Sequence, residues 1–479
     1  MTDTFTTPSN DPTSALLMAE MEVLKAEIRD LKAENEALKA ENRDLKAQLG
    51  QNSSNSSKPP STDPPWKKHR PSKSPSGRKP GGQPGHPGYH RVVIPQEEVT
   101  ETQQYLPLEC GQCGHKLGEA PQPGDPPPRL HQVVELPEIR VKVIQYQAHG
   151  RVCPCCGAVT WGEIPSELRR YAFGPKLTAL LVYLCGQCHL SKRVIQEVVK
   201  GLLGVEIALG SLPRKEKEVS EALKKPHEEA EEAVRQSAVK HADETGWEKR
   251  GKTIWLWVAA TLTVAFFRVQ ERRNREAMET LLGKKLKGIL VSDRYGAYGK
   301  IPIRQRQLCW AHLKRDFQKQ VDRGSPEGEK VGKAGLKLVG KIFGCWHEFK
   351  EGKIGRKVLI RKMKPLRKRL LHILREGRAG PDSSTAQFCG RLLKLDEALW
   401  TFVRVPGVEP TNNHAERTLR PAVLWRKSSF GNNSEAGCRF TERILTVVQT
   451  LRLQKRNVLD YLTQAVQAAR LGLPSPKLV

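Results

Sequence analysis

The chain has 479 residues, with 80 Lys+Arg against 52 Asp+Glu, a formal charge of +28 and a pI near 9.7. That length accommodates several domains and at least one sizeable core, and the excess of cations favours a polyanionic partner, nucleic acid above all. Residues 1–10 lack the cationic start and apolar run of a signal peptide, and the longest near-apolar stretch, 254–267, is shorter than the roughly 20 residues a membrane helix needs. A soluble cytoplasmic protein is expected.

Leu17, Leu24, Leu31, Leu38 and Leu45 recur every seven residues. With these at d, Met21, Ile28, Asn35 and Asn42 fall at a, Glu27, Glu34 and Glu41 at g, and Lys32, Lys39 and Lys46 at the following e. The pattern predicts a parallel two-stranded coiled coil over 12–50, and hence a homodimer or higher oligomer. Residues 51–95 are rich in Ser, Pro, Gly, Lys and Arg, cannot bury a core, and read as a disordered basic linker.

A zinc ribbon is expected over 96–165. Cys110-Gly-Gln-Cys113-Gly114 and Cys153-Pro-Cys-Cys156-Gly157 are CxxCG knuckles, in which two sulfurs point at one metal and the glycine permits a tight turn. Cys110, Cys113, Cys153 and Cys156 together supply four thiolates for Zn²⁺, and 131–136 and 140–146 between them alternate like hairpin strands. Eleven cysteines in a reducing compartment are metal ligands or core residues rather than disulfides; Cys155 is spare, and Cys185 and Cys188 read as core.

Residues 166–235 turn helical. After a break at 204–210, Ser211 is placed to cap a helix carrying Pro213, Arg214, Lys215 and Lys217. Two readings stay open here: a helix-turn-helix presenting Arg214, Lys215 and Lys217 to DNA, or a helical bundle linking domains.

Residues 236–455 carry the chemistry. A strand over 238–243 leads to Asp243, antiparallel strands follow over 253–264 and 265–270, then a helix over 274–282, and a strand over 288–293 ends in Asp293. A further strand is expected over 304–311. This is the order of a ribonuclease-H-like sheet, in which the first and fourth strands are neighbours. A basic helical insertion follows at about 313–397; its 353–378 segment holds eleven Lys/Arg and one acid, with an apolar stripe at Leu359, Met363, Leu366, Leu370 and Leu374 that Pro365 should kink or divide. Those charges fit a DNA track or a solvated face equally well. Glu416 then opens a helix, and 456–479 form a C-terminal helix and tail.

Two strand-end aspartates and a helix glutamate can hold a pair of divalent cations, which is the equipment for cutting and joining phosphodiesters. Each acid also has a plainer explanation: Asp243 and Asp293 as turn residues, and Glu416 closing a capping box with Asn413 as N-cap. Glu244 is a rival ligand. His241, His312 and His414 are candidate supporting or DNA-contacting groups, or core histidines. Arg417, Arg426 and Lys427 are candidate phosphate contacts, or helix-surface charge.

The zipper, the Asn/Ser/Pro linker, the CxxC pairs, Asp243-Glu-Thr-Gly-Trp247, Ser292-Asp-Arg-Tyr295, Cys309-Trp-Ala-His312, Asn412-Asn-His-Ala-Glu-Arg417 and Trp425-Arg-Lys-Ser-Ser-Phe-Gly431 resemble the bacterial insertion sequence 66 family of DDE transposases. The resemblance runs nearly end to end. It implies that Asp243, Asp293 and Glu416 are the DDE triad, holding Mg²⁺ (or Mn²⁺) for strand cleavage and transfer. It further implies terminal repeats and target DNA as partners, a nucleoid-associated location, and companion proteins from the same mobile element. Arg294 departs from the pattern, which has a small residue there. The expected fold is thus multidomain α+β: coiled coil, zinc ribbon, helix-turn-helix-like region and ribonuclease-H-like α/β catalytic domain. The alternative is a non-catalytic zinc-ribbon and helix-turn-helix repressor derived from a transposase.

Overall fold

The computed structural model describes residues 12–52, 56–58, 85 and 92–479; most of the expected linker, including Lys67, Lys68, Arg70, Lys73, Arg78 and Lys79, lies outside the described residues. No described helix is long and apolar enough to cross a membrane. The N-terminal helix α1 (Pro12–Leu49) is continuous and carries i,i+3 ion pairs between Lys25 and Glu22 (2.8 Å) and Lys39 and Glu36 (3.0 Å). Met21, Leu24, Ile28, Leu31, Leu38 and Leu45 lie exposed along it.

The described residues divide into two compact units. One spans 92–164 with 197–206; the other comprises α1, 165–196 and 207–479. In the smaller unit, β1 (Gly150–Val152) and β2 (Val159–Trp161) pair antiparallel around the second knuckle, and an isolated bridge joins Glu109 and Lys116 around the first. The strands expected at 131–136 and 140–146 do not form. Alternating apolar residues make a strand only when a ladder partner and a covering face are present. Here Val133, Leu136 and Val143 stay 75–83% exposed.

The larger unit begins with α2 (Ser166–Arg169), α3 (Pro175–Gly186), α4 (Lys192–Leu203, which runs on into the smaller unit), α5 (Ser211–Ala222) and α6 (Lys224–Gln236). Ser211 is the first helical residue rather than the cap; Gly210 holds the cap position, and no side chain bonds the helix start. Cys185 is buried, but Cys188, expected in the core, is exposed.

The sheet follows: β3 (Val239–Lys249), β4 (Lys252–Ala260), β5 (Ala265–Gln270), then α7 (Arg275–Leu282), β6 (Ile289–Ser292) and β7 (Arg306–Leu308), in the spatial order β5-β4-β3-β6-β7. β3, β4 and β5 are antiparallel, while β6 runs parallel to β3 and β7 parallel to β6, so the first and fourth strands are neighbours. Asn274 caps α7 by accepting the Ala277 N–H at 3.0 Å. β7 is shorter than the 304–311 expected because the chain turns helical at Trp310, whose N–H is taken by the Pro410 carbonyl at 2.9 Å.

The insertion forms α8 (Trp310–Asp322), α9 (Pro326–Lys350), α10 (Arg356–Ala379), α11 (Ser383–Lys394), α12 (Asp396–Leu399) and α13 (Thr401–Arg404). Ser325 caps α9 and Asp382 caps α11. Pro365 does not divide α10, which is one helix throughout. Leu359, Met363, Leu370 and Leu374 are buried in a core shared with Val291, Leu308 and Trp310, and this packing holds the helix through the proline.

The chain returns through α14 (Asn413–Ser429), α15 (Glu435–Leu453) and α16 (Val458–Arg470). α15 lies along β5, the sheet's edge: Glu442, Thr446 and Thr450, one turn apart, accept the N–H groups of Val269, Phe267 and Ala265 at 2.6, 2.9 and 3.1 Å. An edge that would otherwise offer unpaired donors is thereby closed by a helix. α16 stitches the N-terminal helices to this layer, with Arg470 bonding Glu218, the Phe173 carbonyl and Thr178 at 2.9, 2.8 and 3.0 Å.

α14 ends where Phe430 adopts φ 57° and Gly431 φ 94°, letting Asn432 pair with the end of β3. The Asn432 N–H donates to the Glu248 carbonyl at 2.8 Å, and Trp247 Nε1–H donates to Asn432 Oδ1 at 2.6 Å. A Cβ on Gly431 would lie 2.3 Å from the Glu248 oxygen. Gly431→Ala is therefore expected to destabilise the protein by more than about 1 kcal/mol in urea unfolding. Gly344→Ala, where an added methyl meets only open space, is expected to be neutral or stabilising by up to about 1 kcal/mol. Equal effects at both sites would remove the close-approach argument.

Candidate active site

β3 and β6 pair in register from Val239↔Ile289 to His241↔Val291, and there the ladder stops. Asp243 and Asp293 each lie two residues beyond that last pair, and so continue one register row on one face of the sheet. Asp243 does not end its strand, as the sequence suggested. β3 continues to Lys249 against β4, and what ends beside Asp243 is the pairing with β6. The two carboxylates therefore lie just beyond the end of the β3–β6 ladder, where the Asp293 charge acts on Asp243. Asp293 Oδ1 accepts the Tyr295 N–H at 2.9 Å, which turns the chain away at that point.

The third acid arrives on α14. Asn412, only 1% exposed, precedes this helix; its side-chain amide donates to the Ala242 carbonyl at 2.8 Å and its N–H donates to Cys309 Sγ at 3.2 Å. No capping box forms: Asn412 rather than Asn413 occupies the cap position, without a side-chain cap bond, and Glu416 Oε1 has no hydrogen-bond partner. The Glu416 side chain instead points toward His312, with Nδ1 and Oε1 3.6 Å apart.

Electrostatics report the same convergence. Burial pushes the Asp243 carboxyl well above its ordinary value, and the charges of Glu244, Asp293 and Glu416 push it further. Glu244, the rival to Asp243, has both carboxylate oxygens engaged by other side chains. Its Oε1 accepts Arg273 Nε and Nη2 at 2.9 and 2.8 Å, and its Oε2 accepts the buried Tyr298 hydroxyl at 2.7 Å. Arg273 is itself held over the Tyr295 ring, 3.8 Å from its centroid. Arg294, the departure from the expected pattern, is drawn off Asp293 by Asp316 on α8, with bonds of 3.1 and 2.5 Å.

Of the histidines, His241 is a buried core residue pushed down to about 4 by burial first and then by His414, and His414 Nε2 lies 2.6 Å from the Thr261 carbonyl. His312 is held below its ordinary value by burial and by Arg315. Cys309, His312 and Glu416 place one ligand atom each within 4.8 Å of one another, a grouping that sequence reasoning missed, having treated His312 and Glu416 separately and Cys309 only as part of the Cys-Trp-Ala-His motif.

The candidate DNA contacts divide into two sets. Lys215 is half-buried, paired with Glu218 at 2.8 Å and set over Tyr171 and Phe173, and Arg426 is spent on Thr245 (3.1 Å) and the Gly246 carbonyl, tying α14 to β3. Arg214, Lys217, Arg417 and Lys427 are exposed. In the smaller unit each knuckle is formed: the Gly114 and Gly157 N–H groups close on the Cys110 and Cys153 carbonyls at 2.9 Å, both glycines having positive φ. Bonds from Gln112 and Cys113 lower the Cys110 thiol, and bonds from Cys156 and Cys155 lower the Cys153 thiol. The four sulfurs are not gathered into one group, since the hairpin expected to bring the knuckles together is absent.

A family model described as Transposase IS66 family matches residues 170–439, more than half of the chain and all three acids. The chain belongs to this family. A second model, a family of unknown function (DUF6444), matches residues 8–92. The chain is also similar to two uncharacterized proteins of Sinorhizobium fredii (strain NBRC 101917 / NGR234). Protein y4qI is 25% identical over 257 residues, covering 48% of this chain and 46% of y4qI. Protein y4hP is 25% identical over 386 residues, covering 72% and 68%. The match thus spans about half the length of y4qI.

A buried carboxylate among like charges has a stability signature. Below its unfolded value, about 4, Asp243 is protonated in both states and carries no penalty. As pH rises toward its raised folded value, the unfolded chain ionises first and native stability falls. In metal-free buffer at pH 7, Asp243→Asn is expected to raise the thermal midpoint, with the gain shrinking as pH is lowered toward 5. A midpoint that stays below wild type at both pH values would show the carboxylate to be a stabilising partner.

Proposed function

We propose that the protein is a DNA transposase that binds the ends of its element and catalyses Mg²⁺-dependent strand cleavage and strand transfer. The reading rests on one observation above others: Asp243 and Asp293 continue a single register row past the end of the β3–β6 ladder, with the Glu416 charge acting on Asp243. We read the sheet as ribonuclease-H-like and the three carboxylates as the DDE triad.

The donor set fits a hard cation: all-oxygen carboxylates, mutually repelling, with Arg273 held by Glu244 and Arg294 by Asp316. Asp243, Asp293 and Glu416 would hold Mg²⁺ (or Mn²⁺). Bound there, such ions activate water or a DNA 3′-hydroxyl and stabilise the leaving oxygen. The chain's own part is positioning. Asn412 fixes the approach of α14, while Arg273 and Tyr298 keep Glu244 out of the ligand set.

DNA is the partner that the charge favours. On α10, Lys362 and Arg367 are taken up by Glu348 and Asp396, but Lys357, Arg361, Lys364, Lys368 and Arg375 are exposed. Their spacing follows one helix face over about 27 Å, a length suited to successive phosphates. Arg214, Lys217, Arg417 and Lys427 are further contacts in this reading. Each cysteine knuckle is formed by itself, and structural Zn²⁺ held by Cys110, Cys113, Cys153 and Cys156 would draw the two together; α1 would pair with a second copy through its heptad leucines, making a dimer or larger assembly.

Asp293→Asn or Glu416→Gln should lower Mg²⁺-dependent nicking of element-end DNA by roughly 10³-fold or more while leaving DNA affinity within a few-fold of wild type. An unmutated protein that binds those ends tightly but neither nicks nor joins them would favour the repressor reading. Lys364→Ala with Lys368→Ala should flatten the slope of log affinity against log salt by about 2; an unchanged slope would leave α10 a solvated face.

A further inference from the structure

The Cys309, His312 and Glu416 grouping differs in chemistry from the acid trio. Cys309 precedes the first residue of α8 and His312 follows three residues later, so both side chains leave the same helix start toward Glu416 on α14. The thiol is buried, and His312 Nδ1 and Glu416 Oε1 are buried atoms without hydrogen-bond partners, facing each other at 3.6 Å. Two unsatisfied polar atoms beside a buried sulfur are a poor arrangement for an empty interior and a good one for an ion. A tetrahedral zinc-class ion, with bonds of about 2.0–2.1 Å to nitrogen and oxygen and about 2.3 Å to sulfur, sets neighbouring ligands roughly 3.3–3.6 Å apart. His312 Nδ1 and Glu416 Oε1, at 3.6 Å, already match, and the Cys309 sulfur lies within 4.8 Å of both, so it has to close by about 1 Å at most. The Asn412 N–H that already points at Cys309 Sγ is the kind of donor that steadies a metal-bound thiolate. His312 and Glu416 keep 30% and 39% of their side chains exposed, which leaves a way in.

We propose that Cys309, His312 and Glu416 form a site for a thiophilic divalent cation of the zinc class, and that loading it withdraws Glu416 from the magnesium-binding acids. Sulfur, nitrogen and a single carboxylate oxygen select such an ion over Mg²⁺, which demands oxygen ligands. The Cys309 thiol releases its proton to solvent as the sulfur–metal bond forms. A fourth position remains for water. Because one glutamate serves both centres, the two classes of ion compete by linkage, and the free zinc level would set the fraction of molecules able to act. This second half rests on the function proposed above; the zinc site itself does not.

The test uses the full chain, stripped with chelator and reloaded with zinc alone, and counts bound ions by native mass spectrometry in wild type, Cys309→Ser and His312→Gln. Serine can still accept the Asn412 N–H, and circular dichroism checks that each variant is folded. Each variant should bind one zinc fewer than wild type, whatever the cysteine knuckles hold; equal counts in all three overturn the site. Bound Mn²⁺, read by electron paramagnetic resonance, should fall at least tenfold when zinc is added to wild type but not when it is added to Cys309→Ser. Displacement that is equal in both, or absent in both, overturns the competition. If wild type binds no Mn²⁺ at all, the reading of the acid trio fails and the competition with it, while the zinc count still decides the site.

Discussion

The geometry of the centre depends on Asn412. Its side-chain amide holds the Ala242 carbonyl, one residue before Asp243, and its N–H holds Cys309 Sγ, at the exit of the β7 that pairs with β6. One buried residue thus ties together the carriers of all three acids: β3, the β6–β7 edge and α14. The bonds are short and fully desolvated, where a lost partner leaves a buried carbonyl unpaired rather than rehydrated. Asn412 was visible in the sequence only as a letter of a motif. No pattern of periodicity announces a residue whose task is to join three remote segments.

Much of the sheet was legible because its signals are local. The apolar runs over 265–270 and 288–293 and the helical pattern over 274–282 return as β5, β6 and α7 within a few residues. The adjacency of the first and fourth strands, β3 and β6, followed from strand order. What sequence misplaced were features decided by partners. Residues 131–146 alternate correctly yet form no strand, since alternation describes a face and not its neighbour. Pro365 sits in an unbroken helix because the core on Leu359, Met363 and Leu370 outweighs one lost backbone bond. Lys215 and Arg426 looked like phosphate contacts from charge alone, but each is consumed by an intramolecular partner. Glu416 could be weighed against a capping box only once Oε1 was seen to cap nothing.

The sheet is guarded unequally at its margins. On the β5 side, three side chains of α15 take the strand's free donors, so this edge offers nothing to another strand. Between β3 and β6 the ladder ends at His241↔Val291, and Asp243 and Asp293 lie two residues beyond it. The bonded margin and the open one thus lie on opposite sides of β3 and β4. Repelling carboxylates at a ladder's end are tolerable because the surrounding strands and helices are over-determined.

The long separation between the second and third acids follows from the same economy of constraint. Residues 309 to 412 leave the sheet and return to it at a neck made by two contacts: the Trp310 N–H on the Pro410 carbonyl at 2.9 Å and the Asn412 N–H on Cys309 Sγ at 3.2 Å. Everything between those contacts is a helical excursion whose ends are already joined, and closing a longer loop adds only logarithmically to the entropy of closure. The excursion has its own core, continuous with β6 and β7 through Val291, Leu308 and Trp310, so it braces the neck rather than straining it. The placement of Glu416 is then indifferent to how far the chain has travelled. A cationic surface such as the α10 face can be built in the excursion without moving the acids, and the motifs flanking the neck, Cys309-Trp-Ala-His312 and Asn412-Asn-His-Ala-Glu-Arg417, read as two halves of one clasp.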